Sequence, residues 1–302
     1  MTEQVAATIE IGGKSYEHVK TREYTPVAIY KCDGEFLRIA PKEVLTPELT
    51  LHKKILSYGF PVPNILAEGE LDGMLYYTEQ SFGDKLLGDL FWEDCKQGGE
   101  ISSEHFNFFL NVSEKFALAQ LKTAIDDKDD EGFYMGIHVN DIIEELPKLE
   151  TTVIAAFEKT KERTRALPTV LTHGDLNAHN MFQAGIIDLG STHTAPAGYD
   201  LIGNIYHTYN FPKTGEYESM RRYDFTANQI SEYLRVIDAI YTESGLPRLI
   251  DFKDDFIFAK SVWSTVRMYR YPKLKKWRQD RFKKILVSYL NGQPLAQIIF
   301  ES

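Results

Sequence analysis

Two hydrophobic rhythms divide the chain, and the change between them near Gly83 constrains the fold more than any other feature. Before it, short apolar runs alternate with tight turns. Thr8–Ile11 reads as a strand that ends in a Gly12-Gly13 turn. Val27–Tyr30 and Glu35–Ile39 flank Cys32-Asp33-Gly34, and Asp-Gly between two such runs is a strong hairpin signal. Ile65–Glu68 and Met74–Glu79 flank Leu71-Asp72-Gly73 in the same way. Between the two hairpins, Pro47–Tyr58 reads as a helix with Thr46 as N-cap and with Leu49, Ile55 and Leu56 near one face. Pro61 and Pro63 end it.

After Gly83 the period becomes helical. Phe106–Thr123 carries Phe109, Val112, Phe116, Leu118 and Ala119 at helical spacing. The acidic run Asp126–Glu131 reads as a loop or a frayed helix end, and Val139–Arg165 as one or two helices. An island of short strands follows, Thr169–Thr172 and then Met181–Asp188 turning at Ala184-Gly185. Leu201–Tyr209, Ser219–Ser244, Phe256–Met268 and Asp280–Leu290 are further helices. The expected architecture is therefore α+β and two-lobed: a small β-rich N-terminal lobe over 1–82 and a larger, mostly helical C-terminal lobe over 83–302.

Composition narrows the class. The chain has 302 residues, 43% hydrophobic and 26% charged, which is ordinary globular usage. Two cysteines, Cys32 and Cys95, make no disulfide framework and fit a reducing compartment. The N-terminus lacks the basic and apolar regions of a secretory signal, and no run of ~18 apolar residues is present to span a membrane. A cytoplasmic location is expected. The formal charge of −10 argues against nucleic acid as a partner. Nothing in the sequence points to an oligomeric state.

The stretch Leu171–Gly190 carries chemistry. Asp175 is followed five residues later by Asn180, and then by Asp188 within Asp188-Leu189-Gly190. Phosphoryl transfer by a kinase needs one carboxylate to orient the attacking hydroxyl and accept its proton. It also needs an amide and a second carboxylate to hold Mg²⁺ against nucleotide phosphates, a donor set of hard oxygens that suits this ion. The Asp-x4-Asn interval matches the protein-kinase catalytic loop, and Asp-Leu-Gly matches the metal-binding triplet. A tight hairpin of Met181–Phe182 and Ile186–Ile187 would bring Asp188 back beside Asn180, with Gly190 turning the backbone away. A dinuclear metallophosphoesterase built on His173, Asp175, His179, Asp188 and His193 is a rival. It needs an upstream Asp-x-His and a downstream Gly-Asn-His, and the sequence has neither. His193 and His207 read as structural.

His173–Asn180 (HGDLNAHN) followed by Ile186–Gly190 (IIDLG) resembles the aminoglycoside phosphotransferase / choline kinase superfamily, protein-kinase-like enzymes that phosphorylate small molecules. Pro196 and Tyr199-Asp200-Leu201 continue the likeness, as do Phe36–Ile39, Phe60-Pro61-Val62-Pro63 and the hinge-like Tyr76–Gly83; together they span roughly residues 20–210. The resemblance implies a protein-kinase-like fold, with Asp175 as catalytic base, Asn180 and Asp188 as Mg²⁺ ligands and His173 as a structural residue of the loop. It places Arg38 on the nucleotide phosphates, paired with Glu48, and the backbone of Gln80, Ser81 and Phe82 on the adenine edge. Asp200 has two readings, as part of the family pattern and as N-cap of the helix after it.

The implied reaction moves the γ-phosphoryl group of ATP, or GTP, to a hydroxyl of a small molecule such as an amino sugar or amino alcohol. Two departures bear on it. Arginine stands at position 38 where many relatives have lysine. The loop expected over the phosphates, Thr21–Pro26 (TREYTP), contains no glycine. The second departure supports an alternative, a nucleotide-binding pseudokinase or regulatory module without turnover. For the acceptor, Tyr206, Tyr209, Trp263, Tyr269 and Tyr271 read either as core or as aromatic walls of the pocket, and Glu216 or Asp255 offers a carboxylate. The basic segment Lys260–Lys284 reads either as a solvated helix face or as an attractor of anions.

Overall fold

The computed structural model describes residues 6–23, 25–213, 221–267 and 272–301. The chain separates into two compact units: Met1–Lys85 with Phe182–Ile187, and Leu86–Met181 with Asp188–Ser302.

Unit 1 is a six-stranded antiparallel sheet. Its strands are β1 (Thr8–Ile11), β2 (Lys14–Thr21), β3 (Ala28–Cys32), β4 (Glu35–Ala40), β5 (Ile65–Leu71) and β6 (Met74–Gln80), in the order β1-β2-β3-β4-β6-β5. Both expected hairpins form. β2 is an addition: of its eight residues only Tyr16 is buried, so its sequence shows little apolar alternation. Alternate residues of β3 and β4 face opposite ways. Ile29 and Ala40 pack with Leu45, Leu49 and Tyr77, whereas Ala28, Tyr30, Leu37 and Ile39 pack with Tyr16. The second cluster also receives Ile9 and Ile11 from one edge of the sheet and Leu71, Met74 and Tyr76 from the far end. The sheet therefore curls over its own central strands.

The helix of unit 1, α1 (Lys42–Ser57), covers the first cluster. It begins five residues before the expected Pro47, so Thr46 lies inside it and Pro41 is the N-cap. Burial explains the extension: Leu45 is fully buried and Val44 packs against the same cluster.

Unit 2 is mainly helical: α2 (Leu87–Gly98), α3 (Ser103–Leu121), α4 (Asp130–Gly136), α5 (Val139–Glu145), α6 (Glu150–Arg163), α7 (Tyr199–Ile205), α8 (Ala227–Glu243), α9 (Lys253–Val266), α10 (Pro272–Leu290) and α11 (Leu295–Glu301). The acidic run is not all loop. Asp129 caps α4, accepting from Gly132 N at 2.8 Å, and α4 begins at Asp130. Among the described residues this unit has two strands, β7 (Thr169–Leu171) and β8 (Thr194–Pro196), which pair antiparallel. Met181–Asp188 is not a strand pair. Phe182 N donates to Gly185 O at 2.7 Å to close a tight turn, and Ile186 N donates instead to Pro61 O at 2.7 Å. Among the described residues no helix is long and apolar enough to cross a membrane.

Candidate active site

In unit 1, strand register assembles a charged cluster. Arg38 on β4 faces Tyr77 on β6, and Glu79 lies two residues further along β6 on the same face. Glu48 and His52, four residues apart on α1, project toward them. Arg38 donates from Nε to Glu79 Oε1 at 2.8 Å and from Nη1 to Glu48 Oε1 at 3.2 Å; its Nη2 lies 2.7 Å from the same Glu79 oxygen. The Arg38–Glu48 pair expected from the sequence is present. Burial alone would lower the Arg38 pKa, but the charges of Glu79, Tyr77 and Glu48 outweigh it and raise it. Burial pushes the Glu48 carboxyl up, and Arg38 and Arg22 more than reverse that.

Glu48 takes two further donors. Tyr77 Oη reaches Oε1 at 2.9 Å, and Arg22 spans both oxygens. His52 is buried and its Nε2 lies 2.7 Å from Pro63 O.

The hinge-like segment is partly committed within the unit. Gln80 N donates to Asn64 O at 2.9 Å and Ser81 N to Gly34 O at 2.8 Å. Phe82 packs edge-on against Phe182 at 6.3 Å. Gly185 makes this packing possible, because a Cβ there would lie 2.7 Å from the Phe82 ring and 2.0 Å from Pro61 O.

In unit 2, the segment after β7 is fixed from three sides. Asp200 is fully buried, and its carboxylate accepts from His173 N at 2.7 Å, Gly174 N at 3.0 Å and Gln120 Nε2 at 3.1 Å. It is the second residue of α7 and does not cap it; Gly198 occupies that position. Of the two readings of Asp200, the N-cap is therefore set aside.

Gly174 has φ +79°, and a Cβ there would lie 2.0 Å from Ser191 O, so only glycine fits. The Gly174 carbonyl accepts from the buried Lys260 Nζ at 2.6 Å. Lys260 is held between the rings of Trp263, at 3.9 Å, and Tyr199, at 5.1 Å. Burial lowers its pKa against the opposing charges of Asp175 and Asp200.

Inside the loop, amide side chains do the fastening. Asn177 Nδ2 donates to Asp175 Oδ1 at 3.0 Å and to Asp175 O at 2.9 Å, and Asn180 Nδ2 donates to Asp175 O at 2.8 Å. His173 Nδ1 accepts from Asp175 N at 3.3 Å. The structure thus brings Asp175 and Asn180 together and leaves Asp175 half-buried. Asp188 is exposed and takes the left-handed conformation itself, φ 64° and ψ 64°. That corrects the role expected for Gly190, which lies in a short 3₁₀ turn without positive φ.

Asn177 and Lys260 are site residues that sequence reasoning missed, and Asp200 is one it singled out without its contacts. Asn177 had a local signal, an Asx side chain two residues after the carboxylate. Two histidines of the rival metal reading are engaged elsewhere. His179 fits against Gly88 and lies 5.8 Å from the Tyr223 ring, and His193 Nδ1 sits 2.9 Å from Ser191 O. Among the described residues no three His, Cys, Asp or Glu side chains form a metal cluster.

Of the acceptor candidates, Asp255 is fully buried in a pair with Arg163 Nε, at 2.8 Å and 3.0 Å, and with Tyr289. It is not free to hold a ligand. Tyr206 borders a small cavity with Asn210, Lys260 and Arg281, and Tyr209 is buried. Glu216, Tyr269 and Tyr271 lie outside the described residues. The basic segment is not simply a solvated face, because Lys260, Arg278 and Arg281 are buried. Burial, with Arg221 nearby, pushes Arg281 down to about 9.

The sequence matches the phosphotransferase enzyme family (APH) over residues 34–236. No curated protein matches it. Among solved structures, the aminoglycoside phosphotransferase APH(3'')-Id from Streptomyces rimosus is similar at 13% identity, with 82% of this chain and 92% of that chain covered and a TM-score of 0.50. The same enzyme in complex with ADP and streptomycin matches at 12% identity over the same shares, TM-score 0.50. A choline/ethanolamine kinase family protein from Mesorhizobium loti matches at 14% identity over 90% of this chain and 92% of that one, TM-score 0.41.

Proposed function

The chain belongs to the phosphotransferase enzyme family, and from that premise we propose that it transfers the γ-phosphoryl group of Mg·ATP to a hydroxyl of a small molecule. The observation that carries this reading is the anchored Asp175. The two residues before it are pinned by Asp200 and Lys260, and its own carbonyl and carboxylate are held by Asn177 and Asn180. A base held this firmly before substrate arrives costs no reorganisation during reaction.

In the reaction, Asp175 orients the acceptor hydroxyl and takes its proton as the oxygen attacks the γ-phosphorus. The bond from that phosphorus to the bridging oxygen breaks, and ADP leaves. Asn180 and Asp188 supply an amide oxygen and an exposed carboxylate. These fit Mg²⁺, which takes hard oxygen ligands and completes its shell from water and phosphates. The ion would neutralise charge on the transferring phosphate. Arg38, paired with Glu48, and the backbone of Gln80–Phe82 would serve the nucleotide.

The ADP in the Streptomyces structure makes ATP the first co-substrate to try, with GTP beside it. The test is coupled ADP release across aminoglycosides, choline, ethanolamine, homoserine, methylthioribose and simple sugars. Acceptor-dependent release that falls at least ~10³-fold in Asp175→Asn, with nucleotide affinity kept, is the expected result. Release unaffected by Asp175→Asn would overturn the proposal.

A further inference from the structure

The segment joining β2 to β3 is where a kinase-like sheet covers nucleotide phosphates, and its backbone is poorly suited to that task. Residues 22–27 include no glycine, and among those described the amides of Arg22 and Val27 are committed and Pro26 has none. Arg22 N donates to Val27 O at 3.0 Å, Val27 N donates to Thr25 O at 2.7 Å, and Pro26 has no N–H. Arg38 alone is a poor substitute for such a cradle. Its guanidinium is spread over Glu79 and Glu48, and its side chain is only 15% exposed.

Arg22 differs in each respect. Its side chain is 32% exposed and donates from Nη1 to Glu48 Oε2 and from Nη2 to Glu48 Oε1 at 3.2 Å. The planar fork that fits a carboxylate at two points fits a phosphate equally well. Glu48 does not depend on it, since Arg38 and Tyr77 remain on Oε1 if Arg22 leaves. A partly exposed pair of this kind costs only about 0–1 kcal/mol to separate.

We infer that Arg22 is a second side-chain ligand of the nucleotide phosphates in this chain, beside Arg38: it rests on Glu48 when the site is empty and exchanges that carboxylate for phosphate oxygens when nucleotide binds. The inference rests on the nucleotide reading of unit 1 given above. It replaces a backbone cradle with one mobile guanidinium, and it gives the glycine-free loop a function.

The test compares ATP with adenosine, which shares the base and ribose but carries no phosphate. Equilibrium binding of each, with Mg²⁺ present, is measured by calorimetry for the wild type and for Arg22→Gln. The expected result is an ATP dissociation constant raised about tenfold or more, with the adenosine constant changed less than about twofold. Two results would overturn the inference: ATP binding unchanged in Arg22→Gln, or ATP and adenosine weakened by the same factor. The second would mean that the Arg22–Glu48 pair merely shapes the loop. Failure of the wild type to bind either compound would instead overturn the nucleotide reading, and the inference with it.

Discussion

Around Arg38 in unit 1 and around Asp175 in unit 2, buried charge is handled in opposite ways. In unit 1, cations meet carboxylates: Arg38 and Arg22 share Glu48, and Arg38 also holds Glu79. In unit 2, the charged groups around Asp175 bond to neutral partners. Asp200 accepts from two backbone amides and a glutamine, and Lys260 donates to a carbonyl. Paired charges fix side chains relative to one another. A charge bonded to the main chain fixes the path of the backbone, which is what a loop carrying a base requires. Unit 1 thus locks side chains to one another across a sheet, and unit 2 locks the backbone of a loop built from irregular chain.

The sharpest way to break this contrast is to remove its anchors. Asp200→Ala leaves His173 N, Gly174 N and Gln120 Nε2 without their buried acceptor. Losing a buried carboxylate's hydrogen bonds in this way costs roughly 3–5 kcal/mol. Urea denaturation should show a correspondingly lower midpoint. Glu79→Ala should cost less, about 2–3 kcal/mol, because Arg38 keeps Glu48. A larger loss for Glu79→Ala than for Asp200→Ala would reverse the ranking and defeat the comparison.

This ranking also explains what could be read from the sequence. The hairpins were legible because Asp-Gly turns are local signals, and Asp175, Asn180 and Asp188 because their spacing lies within one short segment. The start of α1 was not, because the turn rule favours Pro47 as a first helical residue while burial of Leu45 extends the helix backwards. Asp200 and Lys260 were least legible. They reach the loop across 26 to 27 and 86 residues of sequence, and no periodicity reports a partner at that distance. The buried part of the basic segment was hidden for the same reason.

A smaller effect separates the units by pH. Burial lowers the pKa of His52 in unit 1 and of His193 and His207 in unit 2. Each stays neutral in the folded chain where the unfolded chain, near its ordinary value of 6.5, takes up a proton. The unfolded state therefore binds more protons, and stability present above pH 6.5 is lost as pH falls below it. Each histidine contributes at most about 1.4 kcal/mol per pH unit. Denaturation at pH 7.5, 6.5 and 5.5, with hydrogen exchange read separately on the two units, should show unit 2 weakening more. Equal weakening would mean that these histidines do not distinguish them.

The smallest expected change in stability is also the most discriminating. Lys260→Met keeps the straight side chain between Trp263 and Tyr199 and removes the ammonium. Burying that charge is costly, and burial already lowers its pKa. Its removal recovers desolvation energy while Gly174 O loses its donor, so the two nearly cancel and stability should move by less than ~1 kcal/mol. The loop should not be indifferent. Its position before Asp175 is set from the amide side by Asp200 and from the carbonyl side by Lys260, and only the first restraint survives. Hydrogen exchange over residues 171–181 should accelerate, and ADP release should fall about tenfold or more with nucleotide affinity unchanged. Lys260→Gln, which restores a donor without a charge, should recover part of both. If Lys260→Met instead leaves exchange and turnover at wild-type values, Asp200 alone sets the loop and the lysine is only packing.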